Sequence, residues 1–154
     1  VSSESGSRYG YTDPGVGTAA TTAVGLLCRM YMGWKKDNAG LQLGQSLLDQ
    51  QGPAPNNMYY NYYATQVMFH MTGGEGPVWK KWNEKMRDSL VNTQSKEGHA
   101  AGSWMFNDGH ASGVGGRVYN TAMSAMTLEV YYRFMPIYGS KSVDEELDEA
   151  QFDK

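Results

Sequence analysis

Along this chain the apolar side chains recur at steps of three and four, in blocks cut apart by glycine and proline. From Thr18 onward, Ala23, Leu26, Leu27, Met30, Tyr31 and Trp34 fall on one face, the 3.6-residue period of an amphipathic helix. Gly33 and the polar run Lys35-Lys36-Asp37-Asn38 end it. A second helix is predicted from about Asn38 to Gln50; Leu41, Gly44, Leu47, Leu48 and Gln51 share a face, and Gly44 permits a close helix approach. Gly52-Pro53-Ala54-Pro55 stops it, because proline lacks a backbone donor and disfavours helix in the residue before it. Asn56 and Asn57 then offer side-chain oxygens as N-caps for a third helix running to about Met71, with Tyr60, Tyr63, Ala64, Val67 and Met71 as its apolar face.

Thr72-Gly73-Gly74-Glu75-Gly76-Pro77 breaks the pattern, and Pro77 suits the first turn of a fourth helix. There Trp79, Trp82, Met86 and Leu90 form the apolar stripe, while Lys80, Lys81, Glu84, Lys85 and Arg87 face water. The stretch from Ser95 to Gly116 is glycine-rich but carries Trp104 and Phe106, which marks an ordered loop rather than a linker. A fifth helix is predicted from about Arg117 to Phe134, before Pro136. Ser2 to Gly17 reads as loop. The fold class is therefore all-α: helical hairpins over residues 1–138, followed by an acidic tail, 139–154, expected to be solvated and mobile.

Five helices in series call for a search for self-similarity. Two helix ends match: Leu47-x-x-x-Gln51-Gly52, and Leu90-x-x-x-Gln94 followed by Gly98 and Gly102-Ser103-Trp104. The opening residues hold a shorter version, Gly6-Ser7-Arg8-Tyr9. After each such loop comes a helix with a small or hydroxyl-bearing start: Thr22-Ala23, Tyr63-Ala64-Thr65 and Thr121-Ala122. The order is loop, inner helix, outer helix, loop.

Arg87, Leu90, Gln94, Gly102 and Trp104 resemble the "QW" repeat of the squalene/oxidosqualene cyclase and protein prenyltransferase superfamily, although the spacer between Gln94 and Gly102 is longer and the Gln51 copy lacks a clear Gly-x-Trp. The resemblance implies that Gln and Trp tie the end of an outer helix to the next inner helix. It implies an α/α-toroid, a closed ring of alternating inner and outer helices. With three inner and two outer helices, beginning part-way through a repeat, the chain reads as about half such a ring. Repeat units bury their faces on neighbours, so self-association or the remainder of a longer chain is expected to cover the open edges.

Charge and chemistry narrow the function. The net charge is −3, and five carboxylates crowd between Asp144 and Glu149; with no basic stripe, nucleic acid is not an expected partner. No run reaches the roughly 18 apolar residues of a membrane span. Cys28, the single cysteine, is read as a small buried hydrophobe. The Asp-x-Asp-Asp acid of the cyclases, the zinc-binding Asp/Cys/His set of the prenyltransferases and the thioester segment of other relatives have no counterpart, so no catalytic residue and no cofactor is assigned. His99, Asp108 and His110 share a loop but match no metal-ligand spacing, His70 reads as a core or rim residue, and Asp13 and Asp108 read as turn residues.

What remains is an aromatic and amide set in the loops before the inner helices or in their first turns: Tyr9, Tyr11, Tyr59, Tyr60, Asn61, Trp104, Phe106, Tyr119 and Asn120. Flat rings with a polar handle suit sugar rings, peptides or apolar ligands; the same residues also suit packing of the helix junctions. Three functions follow as expectations. The first is a non-catalytic module binding a ligand or partner through its loop face. The others are a fragment of a cyclase-like or carbohydrate-active enzyme, and an assembly domain.

Overall fold

A computed structural model describes residues 2–14, 17–107 and 112–130. Within them five helices follow one another: α1 (Ala19–Tyr31), α2 (Ala39–Gln51), α3 (Met58–Thr72), α4 (Gly76–Thr93) and α5 (Ser112–Leu128). The fold is all-α apart from one small antiparallel pair near the start, β1 (Ser2–Ser3) with β2 (Arg8–Tyr9), in a stretch expected to be loop. The predicted final turns of α5, residues 131–134, and the acidic segment 139–154 lie outside the described residues.

The helix starts follow from local chemistry. Thr18 caps α1 by accepting from the Thr21 N–H, and Thr21 answers by accepting from the Thr18 N–H, a reciprocal capping box. The Asn38 side chain accepts from the Gly40 and Leu41 N–H groups, and the Asn57 side chain from Tyr60 N–H. Gly73 closes α3 in the left-handed region (φ 72°), a conformation that favours glycine. α5 begins earlier than its apolar period does, but Gly116 interrupts it with non-helical torsions, so the amphipathic part still starts at Arg117.

α3 is the centre of the molecule: α1 and α5 pack on either side of it, and α2 and α4 pack behind, with α2 also against α1. α1, α3 and α5, which meet through α3, are called the front row, and α2 and α4, which pack on them, the back row. α3 has hardly any amphipathic bias, as expected for a helix covered on several sides. Tyr60, Ala64 and Val67 enter the core as its sequence implied, but Tyr63 and Met71 are only half-buried, because Met58, Asn61, Thr65, Met68 and Phe69 are buried too. The α4 stripe Trp79, Trp82, Met86 and Leu90 is buried as predicted. Gly44 does allow a close approach: a Cβ there would sit 2.5 Å from a Leu26 methyl.

Candidate functional site

Each front-row helix is held at its start by the same device. The residue that leads into the helix gives both its N–H and its C=O to side chains in the first turns. For α1 that residue is Tyr9, whose N–H donates to Thr22 Oγ1 (3.2 Å) and whose C=O accepts from Thr21 Oγ1 (2.6 Å). For α3 it is Ala54, which exchanges two bonds with the Asn61 amide (2.8 and 2.7 Å). For α5 it is Trp104, whose N–H donates to Thr121 Oγ1 at 3.1 Å, with a longer return contact of 3.5 Å.

The α4–α5 junction adds the predicted Leu90, Gln94, Gly102 and Trp104 set. The Trp104 indole N–H donates to the Leu90 C=O at 2.8 Å, a second strong donor to a helix-terminal carbonyl that also accepts from the Gln94 N–H. The Gln94 amide donates to the Gly102 C=O at 3.0 Å and pins the loop. The ring thus bonds the end of α4 and the amide braces the loop. Arg117 adds bonds from α5 to the hydroxyls of Ser95 and Ser103.

These junctions absorb most of the aromatic and amide set. Tyr9 lies over Gly25, where an added Cβ would come within 2.2 Å of its ring, and its hydroxyl accepts from Arg29 Nε. The Tyr60 hydroxyl donates to Gly52 C=O, and its ring meets Trp82 edge-on. Asn120 donates to Gly116 C=O one turn back. Tyr9, Tyr60, Asn61, Trp104, Phe106 and Asn120 are all buried, so their side chains face protein. Tyr11 is 86% exposed, in a loop apart from the rest. Only Tyr59 and Tyr119 are brought toward a common surface.

That surface is built by residues the loop-based reading passed over. Tyr60, Thr65 and Phe69 of α3 meet Trp82 and Trp79 of α4. Positions 59, 63, 66 and 70 lie on the opposite side of the helix. There Tyr59 and Tyr63 meet edge-on at 4.9 Å between centroids, and Tyr63 meets Tyr62 at 5.0 Å. Tyr119 of α5 acts on Tyr63 from one side, and Tyr31 of α1 interacts with Tyr62 on the other. A row of tyrosines therefore crosses all three front helices. The signal was present in the sequence as Tyr59, Tyr62 and Tyr63, spaced three and four apart around the core position Tyr60.

Burial, then the neighbouring tyrosines and a hydrogen bond with Tyr59, push the Tyr63 hydroxyl up to about 12. Tyr31 is raised too, by burial first and then by Tyr62 and Cys28. His70 is at the foot of the row, edge-on to Tyr31 and Phe69 and 2% exposed. Burial foremost, and then Lys36, lower it to about 4, so it is a neutral imidazole at pH 7.

Cys28 is exposed, contrary to expectation: Leu26, Leu27 and Met30 take the buried side of α1 and leave position 28 outside it. Asp13 accepts from the Thr12 hydroxyl in an exposed turn. His99 is exposed, while Asp108 and His110 lie outside the described residues. Among the described residues no group of His, Cys, Asp or Glu is placed to hold a metal ion, and no helix is long and apolar enough to cross a membrane. No family model, no curated protein and no solved structure matches the chain.

Proposed function

We propose that this chain is a binding module of the α/α-toroid type, with no catalytic set of its own, and that its ligand lies across the tyrosine row of the front helices. The observation that carries this reading is the edge-on cluster Tyr59, Tyr63 and Tyr62 on α3, with Tyr119 of α5 near enough to act electrostatically on Tyr63 and Tyr62 likewise on Tyr31 of α1. In a toroid the front helices are the inner ones, and the row lines the central cavity. The Trp104–Leu90 and Gln94–Gly102 bonds support the toroid reading, since they join an outer helix to the next inner helix as the resemblance implies.

Rings with hydroxyl handles favour an uncharged ligand that presents C–H groups and accepts or donates a few hydrogen bonds, such as a sugar chain or an extended apolar alcohol. The test is a titration of the protein with cellohexaose and with farnesol, read by tyrosine chemical shifts. Shifts confined to Tyr31, Tyr59, Tyr62, Tyr63 and Tyr119, and lost in Tyr59→Ala/Tyr63→Ala, support the proposal. Binding of either probe that survives the double substitution moves the site elsewhere. Silence from both probes removes this ligand class.

A further inference from the structure

Two amides are buried in α3, on different sides of the helix, and the protein uses them very differently. Asn61, 1% exposed, is spent at both ends. Its oxygen accepts from Ala54 N–H at 2.8 Å, and its nitrogen donates to Ala54 C=O at 2.7 Å and to Met58 Sδ at 3.6 Å. Gln66, 3% exposed, makes a single bond, from Nε2 to the Tyr62 C=O one turn back at 3.3 Å. In an α-helix that carbonyl already accepts from the backbone N–H of residue 66, so the side-chain bond is supplementary. Among the described residues the Gln66 carbonyl oxygen accepts nothing, and one of its two amide N–H groups is unspent. A primary amide kept from water with most of its capacity idle is costly, and an apolar side chain would fill the same space without that cost.

The position of Gln66 gives the idle amide a use. It follows Tyr62 and Tyr63 by one turn, and helical spacing directs it between them, on the side of α3 that carries Tyr59. Tyr59 is 40% exposed and Tyr62 and Tyr63 half-buried, so the amide is the deeper group and the rings are the rim. We infer, taking the row as the binding surface, that Gln66 is its specificity-determining residue and that the ligand it selects is a saccharide. Adjacent hydroxyls on a sugar ring answer the amide at both ends, one donating to Oε1 and the next accepting from the unspent Nε2–H. An apolar alcohol brings a single hydroxyl, while Oε1 alone has two lone pairs to fill. The tyrosine rings supply the C–H contacts that either ligand would share, and Gln66 supplies the discrimination.

The experiment measures binding of cellohexaose, chitohexaose and farnesol by calorimetry to the full chain, to Gln66→Met and to Tyr59→Ala/Tyr63→Ala. Gln66→Met keeps the length and flexibility of the side chain and removes its hydrogen bonds. The expected result is binding of at least one of the two saccharides, weakened at least about tenfold in Gln66→Met and lost in the tyrosine double variant. Saccharide binding that is lost with the tyrosines but unchanged in Gln66→Met keeps the row and overturns the role of Gln66. Saccharide binding that survives both variants overturns the row as well. Farnesol bound without either saccharide, or no probe bound at all, overturns the saccharide assignment. If Gln66→Met fails to fold, the side-chain amide protons of Gln66 in the parent decide. They should shift and exchange more slowly with solvent when the saccharide is added, and unmoved amide signals overturn the assignment.

Discussion

The helix junctions and the tyrosine row use the same residue types for opposite ends. At the junctions, Tyr9, Asn61 and Trp104 are buried, and their side-chain polar atoms meet the Arg29 guanidinium (Tyr9) or backbone carbonyls (Asn61 and Trp104) at close range. Along the row, Tyr31 and Tyr59 are 57% and 40% exposed and Tyr62, Tyr63 and Tyr119 half-buried, so the rings keep a side open. The difference lies in what surrounds the ring. A tyrosine or tryptophan beside a backbone carbonyl in a closing loop is a structural cap, and the same side chain on a helix face between front-row neighbours is a surface available to a ligand. An aromatic residue in a loop is therefore a poor guide to binding in this chain.

Substitutions should divide along that line. The largest effect is expected at Trp104, where Trp104→Ala removes a 5%-exposed indole and should cost about 3–5 kcal/mol in chemical denaturation. Trp104→Phe keeps a ring and removes only the indole donor to a Leu90 carbonyl that still accepts from the Gln94 N–H, a smaller cost of about 0.5–1.5 kcal/mol. A Trp104→Ala protein as stable as the parent would erase the distinction between the two regions.

Next in size is Gly25→Ala, where the new methyl meets the Tyr9 ring, a rigid neighbour clamped at both ends, for a cost of about 1–3 kcal/mol. Gly44→Ala meets only the end of the Leu26 side chain, which can rotate, and should cost less. Equal costs would show that the Tyr9 clamp gives way as easily as a leucine.

The sequence made the helices legible because their signals are local: the Asn57 cap, the stop at Gly52-Pro53 and the α4 stripe recur in the structure as read, and Thr18 and Asn38, read as helix starts, turn out to be the caps of α1 and α2. The Leu90/Gln94/Trp104 spacing was also readable, since it encodes a contact between neighbouring elements. Which tyrosines share a surface was not. Tyr63 looks like a core residue by period, and only the packing of α3 against four other helices shows that its side is the open one. Cys28 was misplaced for a related reason: its apolar neighbours Leu26 and Leu27 are buried on a side of α1 that does not extend to position 28.

A smaller effect separates the row's foot from its rim. His70 is held at about 4 against an ordinary value of 6.5, so the folded state prefers the neutral ring. Its contribution is complete above pH 6.5 and is lost as pH falls toward 4, so stability should decline across that window. His70→Leu should flatten the decline. A parent protein equally stable at pH 7 and pH 4 would mean that the imidazole is better hydrated than its burial indicates.

At the rim, the smallest stability change is expected, and it separates the regions most sharply. Tyr59→Ala truncates a ring already 40% exposed, and its cost at pH 7 should stay within about 1 kcal/mol. Tyr63→Phe removes a hydroxyl raised to about 12, a shift that favours the protonated phenol in the folded state. That contribution is complete below pH 10 and is lost as pH climbs through 12, so Tyr63→Phe should soften the alkaline decline while leaving the neutral-pH midpoint almost unmoved. Tyr60 is raised as well, by burial alone, and Tyr60→Phe leaves the Gly52 carbonyl without its donor. Tyr60→Phe should therefore destabilise the protein at every pH, by about 1–3 kcal/mol. Two tyrosines three positions apart on one helix would then answer the same deletion of one oxygen differently. That contrast places the open surface on the Tyr63 side of α3, and a Tyr63→Phe loss at pH 7 as large as that of Tyr60→Phe would return Tyr63 to the core.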